Sequence, residues 1–150
     1  MKVFVDTKVV MEMLDSRNEA DLIGSIFDWL DNHDIKPYLS VGSFYTITYL
    51  SERLLHKQGL TRPQLTGKLR ELLIGIIDEF QISSIGSKEL LKGVSDEQFT
   101  DLEDSYQLQS ASYADCDILI TINTKDFKDC TDSQIKIYSP RLFFKEFIEE

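Results

Sequence analysis

Three aspartates stand at points of the chain that folding could bring together. Asp6 follows a short apolar run at the amino terminus, Asp104 lies near the start of a helical segment, and Asp126 follows a second apolar run. Carboxylate oxygens are hard ligands, which suit Mg²⁺ or Mn²⁺ better than zinc. A metal held by such ligands commonly serves phosphodiester hydrolysis, because it activates water and neutralises charge on the phosphate.

The helix that would carry Asp104 is predicted from its first residues. Thr100 and Glu103 have the spacing of a capping box, so we expect the helix to begin at Asp101. Asp101 and Asp104 are three residues apart and therefore share one face of the first turn. The helix dipole alone favours acids here by roughly 0.3–1 kcal/mol, so each acid taken singly also has a structural explanation.

A buried strand is predicted after this helix. Residues 118–120 form a short apolar run, which is typical of a strand covered on both faces. A helix that leads into a parallel strand runs antiparallel to it, so the start of the helix lies over the carboxyl end of the strand. Asn123 and Asp126 follow that end, and we expect them to lie near Asp104.

The first strand is predicted over residues 2–5 and ends at Asp6. Ligands of open α/β sheets bind at the carboxyl ends of the strands, so Asp6 is expected at the same site. Apolar residues with helical spacing follow directly. Glu12 lies on that helix, where it either reaches the pocket or is a solvated helix residue.

Strands and helices alternate along the chain. Further strands are predicted over residues 35–39, 80–83 and 136–138, with amphipathic helices between them. This order predicts one domain, residues 1–150, with an α/β fold of three layers. Its centre is a parallel sheet of four or five strands, with helices on both faces.

Aromatic residues on two helices are assigned to the core. Phe44 and Tyr49 lie on the helix after the second strand, where packing explains them better than a platform for base stacking does. Leu142, Phe143 and Phe147 lie on the last helix and are expected to face inward.

Composition and charge argue against several classes of protein. The 26 acidic and 16 basic side chains give a net charge of −10, which argues against a general binder of bare nucleic acid. The net charge does not argue against a nuclease whose metal ions screen the phosphates, or against one with a local basic patch. No apolar run approaches the roughly 20 residues that span a bilayer, and no signal peptide precedes the first strand. We therefore expect a cytoplasmic protein without a membrane partner.

The cysteines and histidines do not suggest a metal site. Cys116 and Cys130 lack neighbouring ligands and are interpreted as reduced thiols. His33 and His56 lie far apart with no cysteine nearby, which argues against zinc.

One segment of this acidic chain is basic. Glu52 and Glu71 are its only acids between residues 52 and 71. A solvated helix face and a track for phosphates explain the basic charges equally well. The RNA-contact hypothesis names five cations: Arg53, Lys57, Arg62, Lys68 and Arg70.

Several blocks of the sequence resemble the PIN domain family of nucleases, which includes many bacterial toxin ribonucleases. Asp6-Thr7-Lys8-Val9-Val10 is similar to the family's opening Asp-Thr-Asn-Val. Residues 101–107, Asp-Leu-Glu-Asp-Ser-Tyr-Gln, resemble its Asp-Phe-Glu-Asp-Ala-Leu-Gln. Residues 116–127 resemble its Asp-x-Ile-Ile-Thr-Arg-Asn-x-Lys-Asp-Phe, and residues 138–140 its closing strand and Pro, so the match covers nearly the whole chain.

The resemblance implies Mg²⁺-dependent cleavage of single-stranded RNA. Asp6, Asp104 and Asp126 would be the catalytic residues and the metal ligands, and Asn123 would stand in the pocket. The partners considered are the RNA, an antitoxin-like protein and a second copy of the chain in a homodimer.

Two positions depart from the family pattern. Lys8 stands where the family has Asn, and Thr46 falls where its second acid belongs, since residues 35–51 contain no carboxylate. An ammonium among carboxylates can take over the electrostatic role of a metal. We therefore expect Lys8 to fold over the cluster and pair with Asp6 or Asp104, in which case Mg²⁺ or Mn²⁺ would be absent.

These departures leave two hypotheses open. One is a Mg²⁺-dependent ribonuclease with a degenerate, impaired acidic site. The other is a catalytically silent PIN domain that binds RNA or a protein partner. A receiver-like phosphoacceptor is disfavoured, because its acids would cluster around one central Asp.

Overall fold

The computed structural model of the protein describes residues 1–127 and 134–149. Its described strands form one five-stranded parallel sheet. They are β1 (Val3–Val5), β2 (Tyr38–Ser40), β3 (Gln81–Ser83), β4 (Ile118–Ile120) and β5 (Lys136–Tyr138). The strand order is β3-β2-β1-β4-β5. The predicted α/β fold with a central parallel sheet is confirmed.

Helices connect the strands and cover both faces of the sheet. They are α1 (Thr7–Leu14), α2 (Ala20–Asn32), α3 (Val41–Lys57), α4 (Gln64–Glu79), α5 (Ser87–Val94), α6 (Leu102–Tyr113) and α7 (Pro140–Phe143). A 3₁₀ turn, Thr124–Phe127, follows β4, and a π-helical turn, Phe144–Ile148, continues α7. None of the described helices is both long and apolar enough to cross a bilayer.

The pleat of β1 divides the core into two clusters. Val3 and Val5 face a cluster built with α1, α2, α3, α4 and α7. Phe4 points to the other face, where it joins Leu119 of β4 and the apolar side chains of α6. Both faces of the central strands are therefore dry, which explains why their sequences are apolar without alternation.

Two predicted boundaries shift in the structure. Helix α6 begins at Leu102, and its N-cap is Asp101, whose carboxylate accepts the backbone N–H of Glu103 at 3.0 Å. The expected capping box with Thr100 is therefore wrong by one residue. Strand β2 begins later than residue 35, because the N–H of Ile35 donates to Leu30 at 2.9 Å and so closes the end of α2.

Two expected core residues lie at the surface. Leu142 is 42% exposed, whereas Phe143 is fully buried and its ring lies 4.7 Å from that of Phe147. Tyr49 is 59% exposed, although Phe44 on the same helix packs against the core as expected. Leu142 and Tyr49 each lie about 100–200° around the helix axis from a buried neighbour. The spacing of apolar residues in a short helical segment does not predict the buried face that finely.

Cys116 is a free, buried thiol, as expected, and burial raises its pKa to about 12. Cys130 lies outside the described residues. A thiol with so high a pKa stays protonated at neutral pH and is therefore a poor nucleophile.

The aromatic packing of α7 yields a test of the fold. We expect Phe143→Ala to lower the free energy of unfolding by about 3–5 kcal/mol, because it opens a cavity between rings. Leu142→Ala is the matched control on the adjacent residue and should cost about 0.5 kcal/mol or less. Urea unfolding followed by circular dichroism measures both changes. Equal losses would show that α7 is not anchored through Phe143.

Candidate functional site

Asp6 is held at the carboxyl edge of the sheet. Its backbone N–H donates to the carbonyl of Ile120 at 3.0 Å, so β1 and β4 end side by side. The side chain is buried, and its Oδ2 accepts the hydroxyl proton of Thr121 at 2.9 Å. Thr121 was not predicted as a site residue. Its signal was its position as the first polar residue after the buried strand.

Asp104 lies in the first turn of α6 and is only 3% exposed. Its Oδ2 is buried and has no hydrogen-bond partner. A buried carboxylate oxygen without a donor is costly unless it carries a proton or meets a cation. This atom therefore marks a place for one or the other.

Burial and the neighbouring acids together raise the pKa of Asp104. Its pKa is raised to about 7, and burial is the largest cause. A hydrogen bond shared with the Asp126 carboxyl is the next cause, followed by the charge of Asp101. The charges of Asp6 and Asp126 contribute further. Asp6, Asp101 and Asp126 thus lie near enough to Asp104 for their charges to raise its pKa.

Burial also raises the pKa of Asp6. Hydrogen bonds from the Thr121 hydroxyl and from the backbone of Thr7 act in the opposite direction, as does the charge of Lys8. Two buried carboxylates with raised pKa values at one edge are typical of a functional site.

The expectation that Lys8 pairs with Asp6 or Asp104 is wrong. Lys8 is exposed on the first turn of α1 and makes no ion pair within the described parts of the chain. Its ammonium keeps its hydration, and only its long-range charge reaches Asp6. Lys8 therefore does not neutralise either buried carboxylate through a direct ion pair.

The other residues predicted for the pocket differ in their exposure to solvent. Glu12, Thr46 and Asn123 are half-buried, whereas Asp101 and Asp126 are exposed. The backbone N–H of Asn123 donates to the Thr121 hydroxyl at 3.1 Å, which orders the turn that carries Asp126. The exposed carboxylates open the site to solvent on this side.

A network of neutral side chains was not predicted and forms the floor of the site. The Gln107 side-chain amide donates to Ser43 at 2.9 Å and to Ser40 at 3.2 Å. The hydroxyls of Ser43 and Thr7 are also hydrogen-bonded to each other. This network ties the starts of α1 and α3 to the middle of α6. Two features of the sequence could have indicated this network: the three-residue spacing of Ser40 and Ser43, and the Gln at the end of the block 101–107.

The donor types at the site fit a hard divalent cation. Asp6 and Asp104 offer buried carboxylate oxygens, one of which lacks any donor, and Asp126 lies beside them. Within residues 1–127 and 134–149, however, no group of three His, Cys, Asp or Glu side chains is positioned so that it could hold a metal ion. Thr46 adds no carboxylate, so the ligands are few.

The predicted RNA-contact cations divide into two groups. Arg53, Lys57 and Arg62 line a cavity of about 780 Å³ between α1, α3 and α4. Arg62 is paired with Glu52 at 2.8 Å, which compensates its charge. Lys68 and Arg70 are exposed on α4 and do not line this cavity.

The parallel sheet with buried aspartates at its carboxyl edge is that of an open α/β domain, a class of proteins that bind their ligands at the strand ends. The family model of the PIN domain matches residues 2–125 of the chain. The chain therefore belongs to the PIN domain family, as its sequence blocks indicated. No curated protein matches it.

Several solved structures share the fold. A toxin-antitoxin complex from Klebsiella pneumoniae is 20% identical, with a TM-score of 0.60. FitAcB from Neisseria gonorrhoeae is 20% identical, with a TM-score of 0.64. VapBC2 from Rickettsia felis, bound to a DNA fragment from their promoter, is 12% identical, with a TM-score of 0.65. Each match covers 93% of this chain and 98% of the other.

The raised pKa of Asp104 predicts how stability depends on pH without metal. The unfolded chain loses this proton near pH 4, whereas the folded chain keeps it to about pH 7. The folded state therefore binds more protons between these values, and the free energy of unfolding should fall as the pH rises through them.

Asp104→Asn should remove much of this decline and stabilise the protein at pH 8, because the amide is never charged. Urea unfolding in EDTA between pH 5 and pH 8 measures the effect. Asp28→Asn, at an exposed position on α2, is the control and should keep the wild-type dependence. An unchanged slope in Asp104→Asn would mean that Asp104 is already ionised at pH 5.

Proposed function

We propose that this PIN domain is a cytoplasmic ribonuclease of the toxin type that hydrolyses single-stranded RNA. The observation that carries the proposal is the buried Asp6 and Asp104 pair, with an unpartnered oxygen on Asp104, at the carboxyl edge of a PIN fold. Asp126 completes the set that would hold Mg²⁺ or Mn²⁺. When bound, the cation would activate water and neutralise charge on the attacked phosphate.

The protein's own residues supply orientation and proton handling. The Thr121 hydroxyl fixes the rotamer of Asp6, and the serine and glutamine floor fixes the helix that carries Asp104. Without metal, Asp104 holds a proton to about pH 7, so it would release that proton when a cation binds. The amino ends of α1 and α6 lie at the same edge and add positive potential for a phosphate.

The small number of carboxylates supports impaired turnover. Thr46 supplies no ligand, and no ready three-residue cluster forms among the described side chains. The same observation favours the second candidate, a catalytically silent PIN domain that binds RNA or a protein. An antitoxin-like partner is consistent with either, because a structure of the same fold is a toxin-antitoxin complex. A homodimer stays a prediction.

A thermal melt with metal separates these candidates. Because Lys8 forms no ion pair with Asp6 or Asp104, Mn²⁺ at about 100 times its Kd should add about 2.7 kcal/mol of stability and raise the Tm by about 5–10 °C. Asp104→Asn should lose most of this shift, whereas Asp28→Asn should keep it. Incubation with single-stranded RNA should give cleavage that EDTA stops. RNA binding without a metal shift or cleavage would support the silent domain.

Restoring the missing acid tests the origin of the impairment. Thr46→Glu should enlarge the Mn²⁺ shift and raise the cleavage rate by roughly tenfold, about 1.4 kcal/mol of transition-state stabilisation. Thr48→Glu is the matched control, with the same substitution two residues further along α3. Adding Lys8→Asn to Thr46→Glu should change little, because Lys8 is exposed. An equal effect of the two glutamates would show that position 46 does not face the metal.

A further inference from the structure

The outer face of α3 carries a row of side chains that the acidic site does not use. Tyr45, Tyr49, Arg53 and Lys57 follow one another every four residues and so form one stripe, here called the tyrosine stripe. Tyr45 is 68% exposed and Tyr49 is 59% exposed. Both cations of the stripe are exposed as well.

The fold does not need these rings for packing. The buried residues of α3 are Ser43, Ile47 and Ser51, which lie on the opposite side of the helix. Two large aromatic residues left in water on consecutive turns are more typical of a binding surface than of a solvated helix face.

The charges beside the rings favour a polyanion. The Arg53 guanidinium lies 5.7 Å from the centre of the Tyr49 ring, so a positive charge stands next to an exposed aromatic face. Glu52 is the only acid of α3, and its carboxylate is paired with Arg62 at 2.8 Å. The stripe is therefore locally positive on a protein whose net charge is −10.

The stripe starts near the amino end of α3, the end that is tied to the acidic site by hydrogen bonds. Tyr45 is adjacent to Thr46, and Ser43 on the same helix is hydrogen-bonded to Gln107 in the floor of the site. From Tyr45 to Arg53 the helix rises by about 12 Å. The amino end of the stripe therefore lies on the part of α3 that is hydrogen-bonded, through Ser43, to Thr7 next to Asp6.

We propose that the tyrosine stripe binds single-stranded RNA. The bases stack on Tyr45 and Tyr49, and the phosphates pair with Arg53 and Lys57. Exposed aromatic rings with adjacent cations are the combination by which proteins hold single strands without reading their sequence. The inference rests on the proposed function, since it specifies how the RNA substrate is held beside the acids.

Binding measured without turnover tests the stripe separately from catalysis. In EDTA, the anisotropy of a fluorescein-labelled oligouridine of about ten nucleotides reports affinity for the full chain. Tyr45→Ala and Tyr49→Ala should each weaken binding on the order of tenfold and leave the salt dependence unchanged. Arg53→Ala and Lys57→Ala should weaken binding and also flatten the salt dependence.

Two kinds of control make the result specific. Tyr45→Phe and Tyr49→Phe keep the rings and should bind like the unaltered protein. Tyr113→Ala removes a tyrosine that is also 59% exposed but lies at the far end of α6, and it should have no effect. Wild-type affinity in both alanine variants, or no binding by the unaltered protein, overturns the proposal.

Loss of binding in the phenylalanine variants would also overturn it, because stacking does not need the hydroxyl. Light scattering on the same proteins gives a further check. A change from dimer to monomer in Tyr45→Ala or Tyr49→Ala would assign the stripe to an interface between copies of the chain. Failure of cleavage with binding intact would count against the nuclease and not against the stripe.

Discussion

The burial of polar side chains along α6 is the constraint on which the rest of the structure depends. This helix packs between the sheet and α5 with most of its polar residues out of water, where each one needs a partner. The Ser105 hydroxyl donates to the carbonyl of Gly93 at 2.8 Å, and the Ser83 hydroxyl donates to that of Ser110 at 2.9 Å. Gln107 binds the serines of α3. These hydrogen bonds fix the position of α6 on the sheet. Asp104 is the exception among these buried polar residues, because its Oδ2 has no hydrogen-bond partner.

The close approach of α5 to α6 depends on the lack of a side chain at one residue. A Cβ at Gly93 would lie 2.9 Å from the ring of Tyr106, so a larger residue would push the helices apart. Loss of that contact would also weaken the bond from Ser105 to Gly93. The stability of α6, and with it the depth of Asp104, therefore rests partly on a glycine outside the site.

Helix α3 joins the two functional proposals in one element. Its inner face holds the serines that anchor Gln107, and its outer face displays Tyr45 and Tyr49. A protein with an excess of acids must lower the repulsion of a polyanion locally. In the proposal for the tyrosine stripe, the cations that follow the tyrosines have this role, whereas the charge of Lys8 acts on Asp6.

The sequence by itself determined the parallel sheet and the strand that ends at Asp6. A strand buried on both faces is apolar throughout, and helices show their own spacing of apolar residues, so both can be recognised from a short stretch of sequence. The sequence also predicted that Asp104 and Asp126 lie at the same edge of the sheet, since a helix that leads into a parallel strand runs antiparallel to that strand. Only the tertiary structure decided which polar residues pair. The Gln107 network joins positions 64 and 100 residues apart in sequence. Lys8 and Tyr49 face water for the same reason: the neighbours that bury or expose a side chain come from other helices, which no spacing along one helix specifies.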